Sequence, residues 1–241
     1  MLTKTEAIVL HAFKYGDSRM IADLFTREAG RLSVIVNLPK TSRGKARKQF
    51  FQPLTLLDVE IDLRQRAQLQ PLRDVRLLLP FTSIPFDAKK TSISLFVAEF
   101  LYYALRGEQQ NEPLFSYVAN SVEWLDSSAG HFANFHLVFL MRLSRFLGFY
   151  PNLEDYTEGC LFDLRAGTFC LCQPTHHDVL QPAEAGLVAL MMRMDFPTMH
   201  LFKLSHTDRN RLIEIILAYY RLHLPDFPEL KSLPVLQEVF A

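Results

Sequence analysis

Apolar and polar residues alternate through the first third of the chain. In PLTLLDVEIDL, Leu57, Val59 and Ile61 stand against Asp58, Glu60 and Asp62, the period of two that gives a strand one buried and one solvated face. Comparable runs are EAIVLHAFKY, SRMIADLFTRE, GRLSVIVNL and AQLQPLRDVRLL, so five strands are predicted between Thr5 and Arg76. Tyr15-Gly16-Asp17-Ser18 and Glu28-Ala29-Gly30 supply hairpin turns, each with a glycine free to take positive φ. Five strands is the count of an OB barrel.

After Pro80 the period lengthens. Ile93, Phe96, Val97, Phe100, Leu101 and Ala104 recur at helical spacing within Lys89 to Arg106, and Gly107 ends that helix. Further helices are predicted at Glu112–Leu125, Phe132–Leu147 closed by Gly148, Pro182–Met194 with proline in the first turn, and Asp208–Leu224 with Thr207 or Ser205 as N-cap. The fold class is therefore α+β: an N-terminal five-stranded OB-fold barrel over 1–80, then an α-helical domain over 81–241. A cysteine-containing insertion at about 156–180 interrupts the helical part.

With 49% hydrophobic residues in 241, the chain can bury one large core or two modest ones. No apolar run approaches the about 18 residues of a membrane span, and MLTKTEAIVL lacks the basic, apolar and small-residue order of a signal peptide. A soluble cytoplasmic protein is expected. The formal net charge of zero hides a split: residues 1–80 hold 14 Lys+Arg against 8 Asp+Glu, and residues 81–241 hold 12 against 18, or +6 and −6. Such asymmetry points to a polyanion meeting the N-terminal part.

The charge concentrates between the third and fourth strands. NLPKTSRGKARKQFFQ carries Lys40, Arg43, Lys45, Arg47 and Lys48 without one acidic residue. Cations crowded in this way repel one another unless an anion is present, and phosphate backbone is the commonest such anion. Arg19 and Arg31 are candidates to extend the patch. Phe50 and Phe51 follow at once; Phe51 is a candidate to stack on a base, and the alternative is that both rings begin the barrel core.

The insertion holds Cys160, Cys170 and Cys172 with His176 and His177. Three cysteines in one short stretch suggest a local site or its remnant rather than a disulfide framework, and reduced thiols are expected. A structural zinc site closes with two close pairs of ligands. Here Asp163 stands at the partner position of Cys160, and one residue separates Cys170 from Cys172. On a strand those two would point to one side, so Cys160, Cys170, Cys172 and His176 are conceivable ligands, while the spacing favours no cofactor.

AIVLHAFKYGDSRMIADLFTREAGRLSVIV, the basic segment and FFQPLTLLDVEI together resemble the N-terminal OB domain of the bacterial RecO family. FLGFYPNL and RLHLPDFPELKSLPVL are similar to segments of that family's helical domain, so the likeness runs in order along nearly the whole chain. The resemblance implies a DNA repair and recombination mediator that binds single- and double-stranded DNA and anneals complementary strands. It further implies that the protein works with RecR to load recombinase on DNA coated by single-strand-binding protein, in the cytoplasm at the nucleoid. Many family members carry a four-cysteine zinc element at this insertion, from which this chain departs at Asp163 and around Cys170. The family also meets the acidic, hydrophobic tail of single-strand-binding protein in its helical domain. Arg142 and Arg145, beside Phe139 and Phe146, are the candidates here, the alternative being solvated positions on a core helix.

No nucleophile triad, P-loop or dinucleotide glycine pattern is present, which argues against an enzyme. Two other classes stay in view: an adaptor whose acidic helical half binds protein partners, and a zinc-dependent hydrolase built on Cys160, Cys170, Cys172, His176, His177 and Asp178.

Overall fold

A computed structural model describes residues 1–38 and 48–240. Strands β1 (Leu2–Lys14), β2 (Arg19–Thr26), β3 (Gly30–Asn37), β4 (Leu56–Asp62) and β5 (Leu69–Leu79) close a barrel in the order β1-β2-β3-β5-β4. Closure requires one strand to serve two neighbours. Leu2 to Ile8 of β1 pair with β4, while Ala7 to Lys14 pair with β2, and a register shift between Val9 and His11 turns the strand from one partner to the other. The first strand thus begins at Leu2 rather than at Glu6; its extra residues pair with the end of β4, and the Met1 ammonium donates to the Leu63 carbonyl at 2.8 Å. Short parallel pairing of β3 with β5, Ser33 to Ile35 against Leu69 to Pro71, completes the ring.

The expected alternation sets the barrel's inside. Leu57, Val59 and Ile61 are buried with Val9, Met20, Leu24, Val34 and Val75, while Asp58 is exposed. Burying these side chains is the main favourable term, at roughly 1.5–3 kcal/mol for each large aliphatic group.

The described chain divides into two compact units, and the division does not fall at the change from strand to helix near Pro80. Met1–Ser127 group with Leu230–Val239, and Ser128–Glu229 with Phe240. In the first unit, α1 (Ala88–Ala104) packs on β1, α2 (Glu112–Ser127) follows, and α6 (Leu233–Val239) returns against α1. Asp87 caps α1 by accepting from the amides of Lys89 and Lys90. Glu99 receives the C-terminal return: its carboxylate accepts from the Lys231 amide at 3.0 Å and from the Ser232 amide at 2.8 Å. Arg27 joins barrel to α2 by donating to Glu6, Glu112 and Ser116 while its guanidinium lies 4.6 Å from the Phe115 ring centre.

A buried ionic knot holds the chain's passage into α1. The Asp126 carboxylate accepts from the amides of Thr82, Ser83 and Ile84 at 2.8–2.9 Å and from the Thr82 hydroxyl. Lys90, buried on the same cluster, donates to the Ser83 hydroxyl at 2.6 Å and the Asp126 carbonyl at 3.1 Å. Burial pushes the Asp126 carboxyl up, but the donors from Thr82, Ile84 and Ser83 outweigh it and leave it below the ordinary carboxylate range.

The second unit contains α3 (Phe135–Phe146), α4 (Pro182–Met192) and α5 (His206–His223). Ser205, one of the two predicted caps, opens α5 in a capping box with Asp208. The insertion is less irregular than its sequence suggests. It folds as a small antiparallel sheet, β7-β6-β8, from Leu161–Asp163 (β6), Thr168–Cys170 (β7) and Val179–Leu180 (β8). Gly167 (φ +67°) lets this sheet press on α5, since a Cβ there would lie 2.5 Å from the Tyr219 hydroxyl. Among the described residues, no helix is long and apolar enough to cross a membrane.

Candidate nucleic-acid interface

Lys40, Arg43, Lys45 and Arg47 lie outside the described residues, so the site is built from the surface at either end of their segment. On the barrel's outer face, cross-strand register aligns three rows. His11, Asp23 and Ser33 form the first, Phe13, Ile21 and Ile35 the second, and Arg19 with Asn37 the third, where the β1–β2 hairpin closes through the Tyr15 amide and the Arg19 carbonyl at 2.9 Å. The basic segment leaves from here. The Leu38 amide donates to the Ser18 carbonyl at 2.7 Å, which ties the start of that segment to the hairpin. Arg19 is exposed beside it.

At the other end, Lys48 is exposed and lines a groove of about 610 Å³ with Met20, Phe51, Tyr102, Tyr103 and Val235. Phe51 is only 4% exposed and belongs to the barrel core, so it offers no open face to a base. Phe50 is half-buried against the same core. The two rings follow the cations in sequence, but both lie in the turn before β4 and pack into or against the barrel core.

Arg31 is engaged elsewhere. Its guanidinium lies 4.7 Å from the centre of the Tyr102 ring and 3.8 Å from the Asp23 carboxylate, and its backbone amide donates to the Glu108 carbonyl at 3.0 Å. It holds the barrel to α1 rather than extending a phosphate patch. The Asp23 carboxylate also accepts from the Ser33 hydroxyl at 2.5 Å and lies 3.7 Å from His11 Nδ1. On the β4–β5 side Arg64 and Arg73 both donate to Asp62 and Arg76 donates to Asp74, while Arg66 is exposed in the connection between the two strands. Three aromatic residues at the hairpin end are exposed at alternate positions, His11 and Phe13 on β1 and Tyr15 just after it. Their spacing was available as a signal in the sequence, masked by the turn reading of Tyr15.

Two family models match the chain, Recombination protein O N terminal over residues 1–81 and Recombination protein O C terminal over residues 85–234. The chain belongs to the RecO family of DNA repair proteins. It is 49% identical over 241 residues to the DNA repair protein RecO of Phocaeicola vulgatus and 50% identical over 241 residues to that of Bacteroides fragilis, each alignment covering 100% of both chains. The Flavobacterium psychrophilum RecO is 34% identical over 243 residues, again with both chains fully covered.

The RecO family's zinc element finds poor material in the insertion. Asp163 closes the β6–β7 turn, accepting from the amides of Arg165 at 2.8 Å and Ala166 at 3.1 Å, and its second oxygen lies 3.3 Å from His176 Nε2. Cys160 is buried, Cys170 is half-buried at the end of β7, and Cys172 is exposed in the bend beyond it, so the last two do not share a strand face. Burial, then Asp163 and the other two cysteines, push the Cys170 thiol up. Among the described residues, no three His, Cys, Asp or Glu side chains are grouped to hold a metal ion. The remaining members of the hydrolase constellation are dispersed, with His177 exposed and Asp178 accepting from Arg165 at 2.6 Å.

Arg142 and Arg145 are exposed on α3. Arg142 donates to the Met194 carbonyl at 3.2 Å, and the Arg145 guanidinium lies 5.8 Å from the Tyr150 ring centre. Phe139 is buried and Phe146 half-buried, so the apolar part of the expected partner site is core.

Proposed function

We propose that this RecO-family chain handles single- and double-stranded DNA without covalent catalysis, annealing complementary strands and, with RecR, loading recombinase on DNA coated by single-strand-binding protein. The observation that carries the reading is uncompensated positive charge attached to a closed barrel. Lys40, Arg43, Lys45, Arg47 and Lys48 follow β3 with no acidic residue among them, and exposed Arg19 stands where their segment begins. Elsewhere on the barrel Arg64 and Arg73 share Asp62 and Arg76 pairs with Asp74, so arginines there have carboxylates beside them, whereas the 40–48 segment holds no acid of its own. Replacing the five cations by alanine is expected to weaken binding to single strands and duplex alike. It should also flatten the single-strand salt dependence by about 0.7 in log–log slope for each phosphate that is no longer neutralised. Unchanged affinity and slope would refute the assignment.

The helical part is read as the partner-recruiting half. Arg142 and Arg145 remain the candidates for the acidic tail of single-strand-binding protein, as exposed cations on one helix. The reading needs no resident metal, which is supported by the engaged Asp163 and the exposed Cys172. The family's work on DNA implies a cytoplasmic, nucleoid-associated location.

A further inference from the structure

We propose that the hairpin end of the barrel's outer face is a stacking platform for unpaired nucleobases, built from Phe13 and Tyr15 with His11 behind them, which favours single-stranded over duplex DNA. The inference rests on the DNA-binding reading above and adds to it a site made wholly of described residues. Alternation along β1 sets His11 and Phe13 on one face, two residues or about 6.8 Å apart, and Tyr15 follows just beyond the strand, where its amide donates to the Arg19 carbonyl at 2.9 Å. A strand residue on the outside of a barrel is ordinarily polar unless a helix covers it. His11 is partly covered, its ring 5.0 Å from that of Tyr102 on α1, whereas Phe13 is 43% exposed and Tyr15 is 50% exposed.

Phe13 pairs with Ile21, and Ile21 with Ile35, so an apolar row runs across three strands beside the exposed ring. The His11 and Phe13 rings lie 5.5 Å apart, tilted by 34°, which gives a short run of aromatic surface along the strand.

Charge identifies the occupant. Arg19 shares this outer face in the neighbouring strand, and the chain leaves β3 for the basic segment opposite Arg19. Of the nearby acids, Asp23 is held by Ser33 and faces Arg31 and His11, and Asp17 lies in the turn. Aromatic faces flanked by cations suit a polyanion that carries flat rings, which is a nucleic-acid strand. Paired bases in a duplex have their faces covered by their neighbours, so only an unpaired strand can use such a platform.

The test uses the full chain with a fluorescent oligothymidylate, an abasic oligonucleotide of the same length, and a duplex, read by anisotropy. Phe13→Ala and Tyr15→Ala remove rings that are already near half exposed, and each is expected to lose about five- to 150-fold in oligothymidylate affinity. Duplex and abasic affinities should stay within twofold, the salt slope should not change, and Phe13→Tyr and Tyr15→Phe should bind like the parent. Unchanged oligothymidylate affinity, or an equal loss on abasic and duplex ligands, would overturn the platform. The five-cation variant separates the two readings: if it loses all three ligands while the ring variants lose none, the basic segment stands and the platform falls. If the ring variants lose only oligothymidylate while the cation variant keeps full duplex binding, the platform stands and the segment falls.

Discussion

Gly30 is where the barrel meets the chain between α1 and α2, and Gly30→Ala should cost far more than a surface glycine replacement. Its φ is +67°, and an added Cβ would lie 2.4 Å from the Gln109 carbonyl carbon and 2.5 Å from the Glu108 oxygen. The left-handed conformation alone costs an alanine about 1–2 kcal/mol. Backbone, unlike a side-chain tip, cannot rotate out of the way, so residues 108–109 must retreat, at about 1–3 kcal/mol for overpacking. Their retreat also stretches the bond from the Arg31 amide to Glu108, worth about 1 kcal/mol. The sum is about 3–6 kcal/mol, a large share of the about 5–15 kcal/mol that holds a typical domain together. Gly16 provides the control. Its φ is +69°, with nothing within 4 Å of the position its Cβ would take, so Gly16→Ala should carry only the conformational cost of about 1–2 kcal/mol. Urea denaturation of the two variants should give midpoints roughly 1–2 M apart, taking about 2 kcal/mol per molar for the denaturant slope. Coincident midpoints would refute the close approach of the Glu108–Gln109 backbone.

Asp126→Asn should destabilise the first unit by about 1.5–3 kcal/mol, because the amides of Thr82, Ser83 and Ile84 lose a charged acceptor and buried Lys90 loses a nearby negative charge. Since the Asp126 carboxyl sits below its unfolded value, its contribution is present above about pH 4 and lost as pH falls through the folded value; the variant's acid limb in thermal melts should be correspondingly shallower. His136 is fully buried, and burial, then the Arg209 charge, depress it to about 3. Between about pH 6.5 and 3 the unfolded chain takes up the proton and the native one does not, so stability should fall by about 1.4 kcal/mol per pH unit, and His136→Phe should remove that slope in melts across the range. Arg142→Ala combined with Arg145→Ala should weaken binding of a peptide from the acidic tail of single-strand-binding protein by several-fold in anisotropy; unaltered binding would put the contact elsewhere.

The strand register was legible because each side of the sheet has one character: Leu57, Val59 and Ile61 are buried and Asp58 is exposed, as alternation requires. The added length of β1 was not, since Leu2-Thr3-Lys4 carries no clean alternation and is ordered by pairing with β4. The helix faces of α1 and α3 were readable from their three-and-four spacing, whereas the short α6 depends on a distant acceptor, Glu99, which no local pattern reveals. Charge counting found the basic segment but could not tell Arg19, which stays exposed, from Arg31, which is spent on Tyr102 and Asp23. Phe51 shows the same limit for aromatics: proximity to cations in sequence does not decide which side of a barrel wall a ring occupies.

In the proposed function, the cations of residues 40–48 would hold complementary strands during annealing. Annealing of complementary oligonucleotides, bare and coated with single-strand-binding protein, measures it most directly. The parent chain should accelerate annealing on both substrates, and the variant with alanine at Lys40, Arg43, Lys45, Arg47 and Lys48 should fall toward the uncatalysed rate while keeping the parent's urea midpoint. Equal acceleration by parent and variant would contradict the account, and no acceleration by either would make the chain an adaptor for protein partners instead.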